Sequence, residues 1–145
     1  MTSASFAGVQ RGELWWAQID ERRPVVVLSG EARADVHVMQ IVAPATPAER
    51  RGFLIMSGDQ ALDTDLRRRM VAEAGPVQSV GIEVWFGRAE GLAEDGVVRV
   101  ALPQAGTIFC TCGMNLSEEF LIERIGVCSP EKLHELDVAM ELAGG

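Results

Sequence analysis

The stretch Arg11-Gly12-Glu13-Leu14-Trp15-Trp16-Ala17-Gln18-Ile19-Asp20, followed after Glu21 by Arg22-Arg23-Pro24-Val25-Val26-Val27-Leu28-Ser29, decides how this chain is to be read. Residues 13–20 are rich in aromatic and β-favouring side chains and read as a strand. Its adjacent tryptophans point to opposite faces, so one belongs to a core and the other is partly exposed. A short turn over 20–23 leads to 24–29, an apolar run without polar alternation. That run is a buried strand, with proline tolerated at its first position and Gly30 closing it.

Working outward, the ten mostly small residues before Arg11 form an N-terminal arm. Downstream, 36–42 alternates well enough for a third strand, and Pro44 and Pro47 force extended backbone around Thr46. The stretch 48–80 is the least regular. Within it, 63–74 contains good helix formers with Leu66, Met70 and Ala74 spaced by four, stopped by Gly75-Pro76. Residues 81–86, 97–102, 107–112 and 123–128 are further strands, separated by turns carrying Gly, Asp or Pro. Ser129 as cap, Pro130 at the first helical position and Glu131 next begin a terminal helix. About seven short strands with a helical excursion and a final helix suit a mainly β barrel. No repeat, low-complexity tract or linker divides the chain.

A length of 145 residues and an apolar fraction of 48% are enough for one domain with a real core, so 1–145 is read as a single unit. No signal-like start and no run of about 20 apolar residues occurs, which leads to the expectation of a cytoplasmic protein. Cys110, Cys112 and Cys128 are an odd count without disulfide spacing and fit reduced thiols. With His134 they match none of the usual zinc patterns, so neither a metal nor a cofactor is expected. The net charge of −8 argues against a protein that coats nucleic acid generally. Up to Arg69, however, nine arginines balance nine carboxylates, and all of the negative charge lies from Met70 onward. A neutral half with clustered arginines can hold RNA locally.

The opening stretch, together with Ile41-Val42-Ala43-Pro44-Ala45-Thr46 and with Glu123-Arg124-Ile125-Gly126 leading into Ser129-Pro130-Glu131-Lys132-Leu133, resembles the PemK/MazF toxins of toxin–antitoxin systems. The resemblance spans most of the chain apart from 48–80, which looks like an insertion. It implies an SH3-like β-barrel, a homodimer, metal-independent cleavage of single-stranded RNA at short sequences, and neutralisation by a small antitoxin. Two departures from the family pattern stand out. The loop between the first two strands is short, and Thr111 and Cys112 occupy the places where an acidic residue and a glutamine are common.

By position, Arg23 matches the family arginine before the Pro-Val-Val strand, and Thr46 matches the threonine ending the third strand. Metal-free cleavage proceeds by attack of the ribose 2′-hydroxyl on the neighbouring phosphorus, leaving a 2′,3′-cyclic phosphate and a 5′-hydroxyl. Charge grows on the non-bridging oxygens, and a guanidinium offers them a rigid fork of donors that stays protonated at neutral pH. Thr46 suits a hydrogen bond that orients the same phosphate.

Arg22 is either a second phosphate contact or a solvated turn residue, and the exposed tryptophan, taken as Trp16, is a candidate for base stacking. Arg67 and Arg68, in the run ending at Arg69, are further candidate RNA contacts, although consecutive helical residues fan out around the axis. His37 and His134 read as packed or solvated, and Glu118-Glu119 as a helix start. The competing reading is a binding module on the same barrel, like the CcdB toxins, with its determinant in 131–145; an inactive relative that keeps antitoxin binding is the third.

Overall fold

A computed structural model describes residues 9–29, 35–50, 53–74, 79–101 and 113–142. Strand β1 (Glu13–Gln18) pairs antiparallel with β2 (Arg22–Ser29), setting Trp15 opposite Val25 and Trp16 opposite Pro24. The ladder runs on past the proline, so Arg22 and Arg23 are strand residues opposite Gln18 and Ala17 rather than part of the turn. The turn shrinks to 19–21, closed by the Ile19 N–H donating to the Glu21 carbonyl at 3.1 Å. Proline had marked the start of the strand in the sequence. What fixes the start instead is the partner strand, which still offers backbone to pair with.

Strand β3 (Val36–Gln40) pairs with β2, β7 (Gly113–Leu116) pairs with β3, and β8 (Leu121–Val127) returns to pair with β1. The resulting sheet has the order β7-β3-β2-β1-β8. A second sheet has the order β4-β5-β6, from β4 (Phe53–Ser57), β5 (Ser79–Phe86) and β6 (Gly96–Ala101). Strands β4 and β5 are parallel, and parallel neighbours need a crossover. It is supplied by α2 (Gly58–Leu62) and α3 (Thr64–Ala74), after a short α1 (Pro47–Arg50). The helix expected over 63–74 is therefore present, and the stretch 48–80 also contributes β4, which sequence reading did not find. The described residues hold eight strands. The strand expected over 107–112, with Thr111 and Cys112, lies outside them.

The apolar run in β2 is explained by two cores. Val26 joins Leu14, Met39 and Ile41 of the first sheet against Met56, Ile82, Val84, Val98 and Val100 of the second, with Leu136 and Ala139 of α4 (Pro130–Leu142). Val25 and Val27 face the other way into a cluster with Ala17, Val36, Val38 and Leu121. Each fully buried Val, Leu, Ile or Met among them contributes about 1.5–3 kcal/mol of burial. Cys128 is buried in the first core, and desolvation pushes its thiol up from the ordinary range. The cap of α4 is as read: the Lys132 N–H donates to Ser129 Oγ at 3.1 Å.

Two seams close the barrel. Beyond β3, the Ile41 N–H donates to the Pro24 carbonyl at 2.9 Å, and Val42 and Val97 exchange a pair of hydrogen bonds at 2.8 and 2.7 Å, linking the two sheets. On the other side, the 3-10 turn Arg88–Glu90 and Gly91 pack against β8. Gly91 has φ +99°, and a Cβ there would stand 2.6 Å from the Ile125 carbonyl oxygen; a Cβ on Gly126 would collide with the Glu90 carbonyl oxygen. Backbone meets backbone at this seam, which only glycine permits.

Candidate active site

The site is built at the end of the β2–β3 pair where β2 begins and β3 ends. Arg23 stands one residue before Pro24, whose carbonyl receives Ile41, and the chain leaving β3 then runs through 42–46 along the first seam. Arg23 is partly exposed, and its guanidinium lies 3.5 Å from the Glu21 carboxylate, itself 73% exposed. An ion pair that open to water is weak, so Glu21 does not hold the guanidinium firmly. Thr46 is exposed immediately before α1. Arg23 is thus the second residue of β2, and Thr46 lies six residues beyond the end of β3, next to Ala45, which is hydrogen-bonded to Glu83 of the second sheet.

Strand alternation separates the neighbouring arginines. Arg23 shares the face of Ala17 and Val25, whereas Arg22 shares that of Trp16 and Val26. Arg22 lies over the Trp16 ring, 4.9 Å from its centroid, and its Nη2 donates to Glu123 Oε1 at 2.8 Å. These two candidate RNA contacts are therefore brought together, on the face opposite to Arg23. The tryptophans face opposite sides as expected, one against a core and one partly exposed, although neither is fully buried. Trp15 packs on the second core and donates Nε1 to Glu13 at 3.1 Å, while Arg22 covers Trp16.

Arg67 and Arg68 lie on α3, in the crossover of the second sheet. Arg67 Nη1 donates to the Ala61 carbonyl at 2.7 Å and so ties α3 to α2, whereas Arg68 is exposed. His37 contacts Asn115 across the β3–β7 pair, Nδ1 to Oδ1 at 2.8 Å, and His134 is exposed on α4, consistent with packed and solvated readings.

Two residues that sequence reading passed over matter here. Glu83 on β5 is 1% exposed, and it pairs across the ladder with Arg99 on β6. Its Oε2 accepts from Arg99 Nη2 at 3.2 Å and from the Ala45 N–H at 2.9 Å, and Arg99 Nη2 also donates to the Ala43 carbonyl at 3.1 Å. The signal was legible: Ile82-Glu83-Val84 and Val98-Arg99-Val100 each set one charge between apolar residues, and the charges are opposite. Glu13, 6% exposed, is a similar junction on β1, accepting from Gln10, Trp15 and Arg124.

No protein-family model matches the chain, and no curated protein matches it. Among solved structures, an endoribonuclease in complex with its cognate antitoxin from Mycobacterial species is similar at 14% identity with a TM-score of 0.50, over 94% of this chain and 93% of that one. This chain has the fold of that endoribonuclease. The Mycobacterium tuberculosis toxin MazF-mt6 is similar at 16% identity and a TM-score of 0.49, over 91% and 92% of the respective chains. The endoribonuclease fold agrees with the barrel expected from the sequence. No helix among the described residues is long and apolar enough to cross a membrane.

Proposed function

We propose that this chain is the toxin of a toxin–antitoxin pair, an endoribonuclease that cuts single-stranded RNA without a metal. The reading is supported by a fold shared along nearly the full length with an endoribonuclease bound to its antitoxin, and by the family resemblance that names Arg23, near the start of β2, and Thr46, in the segment that follows β3. In this reading Arg23 leaves Glu21 for the scissile phosphate and holds the charge that grows on its non-bridging oxygens as the 2′-hydroxyl attacks. Thr46 donates to the same phosphate and keeps it in line. Trp16 takes a base by stacking, with Arg22 on the neighbouring backbone, and Arg68 adds a contact from α3; the part assigned to Arg67 is smaller, because Ala61 holds it. The protein works as a homodimer in the cytoplasm, and its antitoxin closes the same surface.

The test is incubation of a long single-stranded RNA with the purified protein in EDTA, beside Arg23→Ala, with the new ends mapped. Discrete cuts bearing 5′-hydroxyl ends are expected from the wild type. Loss of one transition-state donor costs roughly 2.7–4 kcal/mol, so Arg23→Ala should cut at least about a hundredfold more slowly. Intact RNA at high protein concentration overturns the reading and favours a barrel that acts by protein contact alone.

A further inference from the structure

We infer that Glu83 and Arg99 are positioning residues that fix the backbone carrying Thr46; the inference rests on the ribonuclease reading of Thr46. The segment between the Val42 bridge and α1 lies outside both sheets, and Pro44 and Pro47 bring no N–H to it. Ordinary ladder bonds therefore do not hold it. Side chains from the second sheet do so instead, acting as a substitute strand. Glu83 takes the Ala45 N–H at 2.9 Å, and Arg99 takes the Ala43 carbonyl at 3.1 Å, so the backbone on either side of Pro44 is clamped. The clamp is itself locked, because Arg99 Nη2 and Nε lie 3.2 and 3.3 Å from the same carboxylate oxygen.

A carboxylate buried to 1% exposure is costly, and buried ion pairs can often be replaced by apolar residues of similar volume without loss of stability. What the ion pair adds is direction: one acceptor and one donor, both aimed at the three residues before Thr46. Pro47 restricts Thr46 from the other side. The threonine is thus exposed to a substrate while the backbone leading into it is fixed, which is the arrangement that avoids reorganisation when a phosphate arrives.

The decisive comparison uses Arg99→Lys, which keeps the charge beside Glu83 but loses the fork that reaches Ala43. With the fold intact by melting temperature, this variant should lose about tenfold to a hundredfold in kcat while KM stays within about twofold. In a Thr46→Val background the same change should cost nothing further, because the residue it positions is gone. Equal losses in both backgrounds, or no loss in either, overturn the inference. An arm that needs no catalysis reads the clamp directly: amide exchange at Ala45 should quicken in Arg99→Lys while the Val42 amide keeps its protection, and unchanged exchange at Ala45 also overturns it. A wild-type protein that cuts no RNA removes the ribonuclease reading and the catalytic purpose of the clamp with it. One that cuts normally with lysine at 99 removes the clamp alone.

Discussion

Arg22 is held between two claims, the Trp16 ring beneath it and the Glu123 carboxylate beside it. Both members of its ion pair are more than half exposed, so the pair is worth less than about 1 kcal/mol and opens readily. On the proposed ribonuclease reading, Glu123→Gln should leave stability unchanged and tighten RNA binding, because Arg22 no longer has a competing anion; Trp16→Ala should weaken binding by about 1–3 kcal/mol per base lost from the stack while kcat is kept. Fluorescence titration with a short single-stranded RNA checks both, and weaker binding by Glu123→Gln would remove Arg22 from the RNA surface. At this scale the sequence was partly legible. Arg23 and Thr46 were named through the family resemblance alone, and the separation of Arg22 from Arg23 depended on β2 starting two residues earlier, which a proline at position 24 concealed. The role of Arg67 was equally invisible, since nothing in a run of three arginines tells which one will cap the neighbouring helix.

Among the elements, α4 was the easiest to read because its signals are local: a serine cap, a proline in the first turn and apolar residues at helical spacing. Strand β4 was missed for the opposite reason. Its pairing with β5 is parallel and spans a crossover of two helices, so no turn residue announces it. Where α4 packs on α2, Glu135 lies against Gly58, and burial raises its carboxyl above the ordinary range, with Lys132 opposing and Asp59 adding to the shift. A carboxyl raised on folding is favoured in its protonated form. Its stabilising contribution is full below the unfolded carboxylate range and is lost as pH rises through the folded value. Glu135→Gln should accordingly melt above the wild type at pH 7, with the gap closing as pH falls below about 4. Melting curves across that range test this; a gap that widens on acidification would mean that the Lys132 pair, at 3.7 Å, outweighs desolvation.

For the whole molecule, the barrel depends on two seams of different chemistry. One is a pair of hydrogen bonds between Val42 and Val97; the other is the contact of Gly91 and Gly126 with opposing carbonyls. Gly126→Ala should be among the more damaging single substitutions, costing well over about 1 kcal/mol of stability because the obstruction is backbone and cannot swing aside. Urea titration monitored by tryptophan fluorescence reads this loss, and a midpoint equal to wild type would show that the seam yields.

The pairing of β1 with β8 joins residues more than a hundred positions apart in the chain. A polypeptide emerging from the ribosome can form the β1–β2–β3 ladder early, yet β1 keeps an open edge until β8 has been made. Completion of the first sheet thus waits for β8. If the proposed ribonuclease activity holds, that order of assembly keeps the nascent chain harmless to the message encoding it until then.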